Sequence, residues 1–329
     1  MSLRAAMALG VTILVSAGPA PARVAEPVPA LEASALLEEV LAPYRQLEGL
    51  HYRAHYSFTF RYADGSESQG ESSAAYWASP VGFRSETEVD RRLVRAGFMG
   101  GTIITFDGLE SRILFRDQQT LSLKRGESPD FSLTPNPVFL PIDFVKGEKL
   151  YCEGCRATLA DLRSSGPATD YIPGSATVEP WMNPAEAVLV AFPDGDGGGR
   201  KEVILARWRN TWFVAEVVHR DAGGAMTSVH RFSFPTVPPG APAGWIASRT
   251  VVSETWSRDG DLPNGAVHMK IRGELTELDL TPRFDWPEFS IPVDTDLAQT
   301  VIDDDSGTIL RAGSCKVPLP ERPDPFAAP

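Results

Sequence analysis

The sequence predicts a mainly β protein: one large antiparallel sheet curled into an incomplete barrel, with an N-terminal helix and a central helical lid. Short segments of alternating apolar and polar residues recur between Gly, Pro and Asp turn signals, which is typical of antiparallel meanders. About eleven to thirteen such segments are expected, and a sheet of that size curls instead of staying flat. A Pro-rich, apolar stretch over residues 126–175 interrupts them.

A helix is expected over residues 31–50. Its apolar residues recur at helical spacing, and Ser34 is a suitable N-cap. Pro43 lacks a backbone N–H, so it is expected to end or kink the helix. The apolar positions are Leu36, Leu37, Val40, Leu41 and Tyr44.

The clearest strand follows the helix directly. Every second residue from Tyr52 to Tyr62 is apolar, and five of these six are aromatic. Period two places all of them on one side of a strand. Further strands are predicted over 72–79, 83–90, 102–106, 111–115, 120–124, 187–192, 201–208, 211–218, 227–234, 245–256 and 266–280, with a last one at 300–302 or 307–311.

The strand over 266–280 changes its apolar phase. Met269, Ile271 and Leu275 share one phase, whereas Leu278 and Leu280 share the other. One extra residue in a strand produces this switch. We therefore expect a β-bulge within residues 273–277.

The chain begins with features of an export signal. Arg4 precedes an uncharged apolar run over residues 5–17, and Ala20-Pro21-Ala22 offers small residues for cleavage. We predict a signal peptide over 1–22, one domain over 23–311 and a Pro-rich disordered tail over 312–329. An uncleaved anchor is the alternative. The mature chain is expected to be periplasmic and to have no transmembrane segment.

Charge and motifs exclude several functions. The net charge is −12 and the pI is about 5.0, and an acidic surface repels nucleic-acid backbones. The five histidines follow no catalytic or zinc-binding pattern. We expect no enzyme activity, no metal site and no cofactor.

The cysteines leave several interpretations open. Cys152 and Cys155 form a Cys-x-x-Cys pair, and Cys315 is the third cysteine. Export favours a disulfide between Cys152 and Cys155. A redox-active dithiol, half of a zinc site or free thiols are the alternatives. The role of Cys315 is open.

The aromatic face of the first strand has two interpretations. It is either a packed interior or the wall of an apolar ligand cavity under a movable lid. Apolar residues between Pro135 and residue 145 must dock on another surface. Because ligand pockets are mostly apolar, we favour the cavity.

In order along the chain, these features resemble the LolA/LolB-like superfamily of periplasmic lipoprotein carriers and sorting proteins. The motifs that carry the resemblance are a helix before HYRAHYSFTFRYADG, the strand SAAYWASPVGFRSETEV and the hairpin TIITFDGLESRILFRDQQTLSL. A central helical segment then divides the strands, as in that superfamily. The resemblance covers most of residues 31–311.

This resemblance implies a non-catalytic carrier or sensor. A half-barrel cavity would bind a lipid or a lipoprotein acyl chain beneath a helical lid over about 136–164. Arg84 would affect release by contacting the helices. Alternatives are a periplasmic scaffold or stress sensor that binds a periplasmic or outer-membrane protein, and a thiol-redox or zinc protein. The implied cavity residues are Tyr56, Phe58, Phe60, Phe83, Phe106 and Phe115, and the lid residues are Val138, Phe139, Ile142 and Phe144.

Overall fold

The computed structural model contains one large sheet and little helix. It describes residues 30–95, 100–125, 138, 159, 163, 166–170, 172–181, 186–194, 198–260, 262, 265–282, 289–312 and 315–316. No helix in these residues is both long and apolar enough to cross a membrane. The predicted signal peptide lies outside them.

The strands of the first half are β1 (Leu50–Tyr62), β2 (Glu67–Ser79), β3 (Gly82–Val89), β4 (Thr102–Phe106), β5 (Glu110–Phe115) and β6 (Thr120–Arg125). Those of the second half are β7 (Thr177–Pro180), β8 (Ala187–Asp194), β9 (Gly199–Trp208), β10 (Thr211–Arg220), β11 (Met226–Thr236), β12 (Ala247–Trp256) and β13 (Ala266–Asp279). The last are β14 (Thr300–Asp303), β15 (Thr308–Ala312) and β16 (Cys315–Lys316).

These strands form a single open sheet, in the order β16-β15-β14-β6-β5-β4-β3-β2-β1-β13-β12-β11-β10-β9-β8-β7. Strands β7 and β16 lie at opposite edges, so the sheet is not closed. The aromatic strand β1 pairs with β2 on one side and β13 on the other. The predicted mainly β class and unclosed sheet are therefore confirmed.

Three features of the sheet were not predicted. The described residues form sixteen strands in place of eleven to thirteen, because β7, β16 and one of β14 and β15 were not expected. Strands β14 and β6 pair in parallel, from Thr300 opposite Thr120 to Asp303 opposite Leu123. The pairing of β16 with β15 also extends the sheet past the predicted domain boundary at residue 311.

The predicted bulge in β13 is confirmed. Arg53 of β1 lies opposite Glu277, and the next residue, Ala54, lies opposite Leu275, so Thr276 is the extra residue. The bulge restores the apolar phase, since Leu278 then faces the same side of the sheet as Leu275.

The helices are few. Helix α1 (Ala30–Leu41) continues into a 3-10 turn (Ala42–Gln46), and α2 (Arg91–Arg95) follows β3. Pro43 ends the α-helical part, as predicted. Ser34 is not the N-cap: it lies inside α1 and is buried, because the helix begins four residues earlier.

The core lies mainly on one face of the sheet, which we call the interior face. It carries the even-numbered residues of β1 from Tyr52 to Phe60. A second, smaller core lies on the opposite, outer face of β4–β6, where residues 289–301 cover it. Its members are Ile103, Leu114, Leu121, Leu123, Ile291, Ala298 and Val301.

Candidate functional site

The interior face brings together all six aromatic residues predicted to line a cavity. Tyr56, Phe58, Phe60 and Phe83 are at most 3 % exposed, and Phe106 and Phe115 pack against the same core. They come from β1, β3, β4 and β5, which share this face because directly paired residues point to the same side. Their role in ligand binding stays a prediction.

The rings form a ladder across the strands. Ring centroids are 5.4 Å apart between Tyr52 and Tyr76, 5.8 Å between Tyr76 and Phe83, and 6.0 Å between Phe83 and Phe106. Aromatic pairs attract at these separations. The ladder crosses β1, β2, β3 and β4 and makes an apolar surface of this part of the face.

Glycines beside the large rings set the packing of β1. The Tyr56 ring fills the space over Gly273 of β13, where a Cβ would lie 2.7 Å from a ring carbon. Gly70 of β2 lies beside Phe58, and Leu93 of α2 occupies the space over it. Large side chains next to glycines therefore produce a closely packed surface.

Helix α1 and two residues of the predicted lid pack into the same core. Helix α1 packs against β7 and β10, and Leu37 and Leu41 are fully buried. Val138 and Leu159, from the predicted lid, are also fully buried in the same core as the aromatic rings. The predicted lid residues Phe139, Ile142 and Phe144 lie outside the described residues.

Helix α1 is latched to the chain that follows the predicted lid. Glu38 forms an ion pair with Arg45 and also accepts a hydrogen bond from the Ala168 N–H, with N and O 2.7 Å apart. Arg45 donates a further hydrogen bond to the Gly166 carbonyl oxygen at 2.7 Å. These contacts join α1 and the 3-10 turn to residues 166–168, which follow the predicted lid.

A small crevice opens where the 3-10 turn meets the sheet. The Tyr44 hydroxyl donates to the Ile246 carbonyl oxygen at 3.1 Å, and the Tyr44 and Trp245 ring centroids are 5.6 Å apart. The crevice beside them has a volume of about 10 Å³, room for about one water molecule. It is too small for an acyl chain.

The interior face becomes polar toward β9. Two lines of directly paired residues cross the sheet from β1. The Phe60 row comprises Phe60, Met269, Thr255, Ser228, His219 and Lys201, and the Phe58 row comprises Phe58, Ile271, Ser253, His230, Val217 and Val203. Both rows begin with apolar side chains, and their polar side chains lie on β9–β12.

Lys201, His219 and His230 form a basic cluster on this face. Lys201 is 5 % exposed, and its Nζ lies 5.7 Å from the centroid of the Phe192 ring. The two histidine rings meet edge to face with centroids 6.0 Å apart. His230 Nδ1 is 2.9 Å from the Ser253 hydroxyl oxygen. Burial, with the positive charges of His219 and Lys201, lowers the pKa of His230 to about 3.

Sequence reasoning missed this cluster. Alternation from Trp212 and Val214 would place Val218 inside and His219 outside. A bulge after Val214 shifts the phase, so that Val217 and His219 face the interior instead. The sequence contains one signal for this bulge. The apolar positions change from even numbers at Trp212 and Val214 to an odd number at Val217, which resembles the phase switch that predicted the bulge in β13.

Arg84 lies on the outer face of β3. Its neighbours Phe83 and Ser85 point to the interior, so its side chain leaves the sheet on the side opposite the aromatic rings. Arg84 pairs with Glu86, with N and O 2.6 Å apart. Its predicted effect on ligand release stays a prediction. The predicted disulfide residues Cys152 and Cys155 lie outside the described residues.

The chain is similar to several solved structures at low sequence identity. No protein-family model matches the sequence, and no curated protein matches it. Similar solved structures include a domain from Vibrio parahaemolyticus described as an outer membrane lipoprotein-sorting protein (12% identity, 79% of this chain and 97% of that one, TM-score 0.41). Others are a DUF1329 family protein from Desulfovibrio piger (9%, 80% and 98%, 0.42) and a LolA superfamily protein from Nitrosomonas europaea (11%, 80% and 98%, 0.39).

Proposed function

We propose that this protein binds an apolar ligand, a lipid or the acyl chain of a lipoprotein, on the interior face and carries or senses it in the periplasm. The observation that carries the proposal is the ladder of aromatic rings on an open sheet. The sequence resemblance to lipoprotein carriers supports it, and the periplasmic location depends on the predicted signal peptide.

Ligand binding would use part of the interior face that is buried in this structure. Val138 and Leu159 lie on the same core as the rings, so an acyl chain would take the place of part of the central segment. Each buried methylene contributes about 0.8 kcal/mol before association costs. Exchange of one apolar contact for another keeps the cost of opening low, which suits a protein that must release its ligand.

Photo-crosslinking tests the proposal without weakening the core. A fatty acid with a diazirine at its chain end would be bound and irradiated, and the labelled residues identified by mass spectrometry. We expect adducts on Met269 and Ile271, which face the interior. Lys270 and Arg272, which face outward on the same strand, are the internal control.

Unlabelled fatty acid in excess should remove the interior adducts. Adducts confined to the outward residues, or no saturable labelling at all, would contradict the proposal.

A further inference from the structure

One end of the sheet carries most of the large apolar side chains that are exposed to solvent. We call this end the rim: β2, β4, β7, β9 and β11 end there, and β3, β5, β8, β10, β12 and β15 begin there. Of the eight such side chains in the described residues, six lie at the rim, whereas Met226 and Leu297 lie toward the opposite end. Exposed apolar side chains that gather in one region mark an interaction surface. The six are Val81, Leu109, Trp181, Phe234, Val237 and Ile309.

The loop between β11 and β12 holds two of these side chains in water. Phe234 has a φ of 55°, in the left-handed region that a bulky side chain rarely adopts. It is 67 % exposed, so little packing compensates for this conformation. Residues 232–248 contain no charged side chain, although 22% of the chain is charged. The loop therefore presents an uncharged, apolar surface outside the core.

Neighbouring elements hold this loop in place. A Cβ on Gly240 would lie 3.2 Å from Thr281, which follows β13, and a Cβ on Gly244 would lie 3.3 Å from Pro43 in the 3-10 turn. Trp245, at the end of the loop, is buried. The loop is therefore packed against two other elements of the rim, and it borders the crevice on the interior face.

Basic residues lie beside the apolar side chains in this part of the rim. From β7 to β12 the rim contains three arginines and one acidic residue, Glu186, whereas the whole chain has a net charge of −12. Arg207 and Arg209 are exposed, and their guanidinium carbons lie 4.9 Å and 4.4 Å from the ring centroids of Trp212 and Trp208 respectively. This local excess of positive charge complements an anionic surface. The segments that form this part of the rim are 180–187, 207–211 and 232–249.

The spacing of the exposed side chains favours a flat partner. In a protein–protein interface the anchor residues cluster near the centre of one patch. Here Val81 and Trp181 lie at the ends of β2 and β7, which are eight strand spacings apart, about 38 Å along the sheet. A bilayer surface can contact such separate turns together. Apolar and aromatic side chains with arginines beside them are typical of segments that enter the bilayer interface.

We propose that the rim docks on an anionic lipid bilayer. The loop between β11 and β12 inserts Phe234 and Val237 among the lipid headgroups, and Arg207 and Arg209 contact lipid phosphates. Docking goes beyond the proposed ligand binding and does not depend on it, because it uses side chains that are already exposed. It would place the crevice beside Tyr44 next to the bilayer, on the side from which an acyl chain would reach the interior face.

Flotation with lipid vesicles tests this proposal. The full chain would be mixed with neutral vesicles of phosphatidylcholine, or with anionic vesicles of phosphatidylcholine and phosphatidylglycerol at about 3:1. The double variant Phe234→Ser with Val237→Ser should bind both kinds of vesicle at least tenfold more weakly, because two apolar side chains no longer enter the bilayer. Arg209→Asn, which suits the φ of 50° at this position, should weaken binding to the anionic vesicles about fivefold and leave binding to the neutral ones unchanged.

Two further variants control for folding and for the rest of the surface. Met226→Ser is the matched control, because Met226 is exposed at the opposite end of the same strand, β11, and it should bind like the wild type. Phe234→Trp should retain binding. All variants share one N-terminus, so the apolar run over residues 5–17 contributes equally to each.

Three results would overturn the docking proposal: no vesicle binding by the wild type, unchanged binding by the double variant, or an equal loss in Met226→Ser. A dimer that the double variant dissociates, measured by analytical ultracentrifugation, would also overturn it, because a second copy would then cover the rim. No fatty acid is present in these assays, so their failure would leave the proposed ligand binding standing.

Discussion

The two halves of the interior face differ in what they bury. Around β1 the face is a ladder of aromatic rings whose neighbouring centroids are 5.4–6.0 Å apart. Around β9–β11, on the same face of the same sheet, it carries Lys201, His219 and His230 among apolar residues such as Val203 and Val217. Burial of apolar area stabilises a fold, whereas burial of charge opposes it. The aromatic half therefore stabilises the fold, whereas burial of these three basic side chains has a cost in free energy that their interactions must offset.

The largest expected effect is in the aromatic half. Phe60 is fully buried, so Phe60→Ala removes a ring and leaves a cavity. We expect the free energy of unfolding to fall by about 3–5 kcal/mol, measured by urea denaturation monitored by circular dichroism.

Phe234 is the control for this change. It is 67 % exposed at the end of β11, and Phe234→Ala should change stability by less than about 0.5 kcal/mol. A loss below about 1 kcal/mol for Phe60→Ala would mean that the rings line an open space instead of a packed surface, and that the aromatic half does not supply the stability.

The aromatic half could be predicted from sequence, because its signals are local. Period two from Tyr52 to Phe60 places the rings on one face, and the phase switch in β13 located the bulge at Thr276. The parallel pairing of β14 with β6 could not be predicted. It joins segments about 180 residues apart, and no local pattern encodes such a pairing.

The basic half could not be predicted for a related reason. His219 and His230 are eleven residues apart and Lys201 is on another strand, so only the register of three strands brings them together. That register depends on the bulge after Val214. A slip of one residue would move the whole set to the outer face.

A second, smaller effect concerns pH. The pKa of His230 is about 3 in the folded chain, lowered by burial and by His219 and Lys201, whereas an unfolded histidine titrates near 6.5. Between these values the unfolded chain binds more protons, so stability is full above pH 6.5 and falls as the pH is lowered toward 3. At pH 5 the expected loss from His230 is about 2 kcal/mol.

Urea denaturation at pH 7.5 and pH 5.0 measures this loss. His230→Gln should reduce the difference between the two pH values by about 2 kcal/mol, because glutamine does not titrate. His55→Gln is the control, since His55 is half-exposed on the outer face of β1. An unchanged difference in the His230 variant would contradict the burial of a neutral imidazole in the basic half.

The smallest expected effect is on stability in the basic half. Lys201→Met removes an ammonium group that is 5 % exposed and keeps the length of the side chain, so the lower cost of burial offsets the interactions that are lost. We expect a change within about 1 kcal/mol, while Leu205→Ala, at a fully buried interior position of the same strand, loses about 2–5 kcal/mol. Thermal and urea unfolding of both variants would measure this. A loss above about 2 kcal/mol for Lys201→Met would make the lysine a structural residue. A change within about 1 kcal/mol would mean that the interior face accepts an apolar side chain at this position.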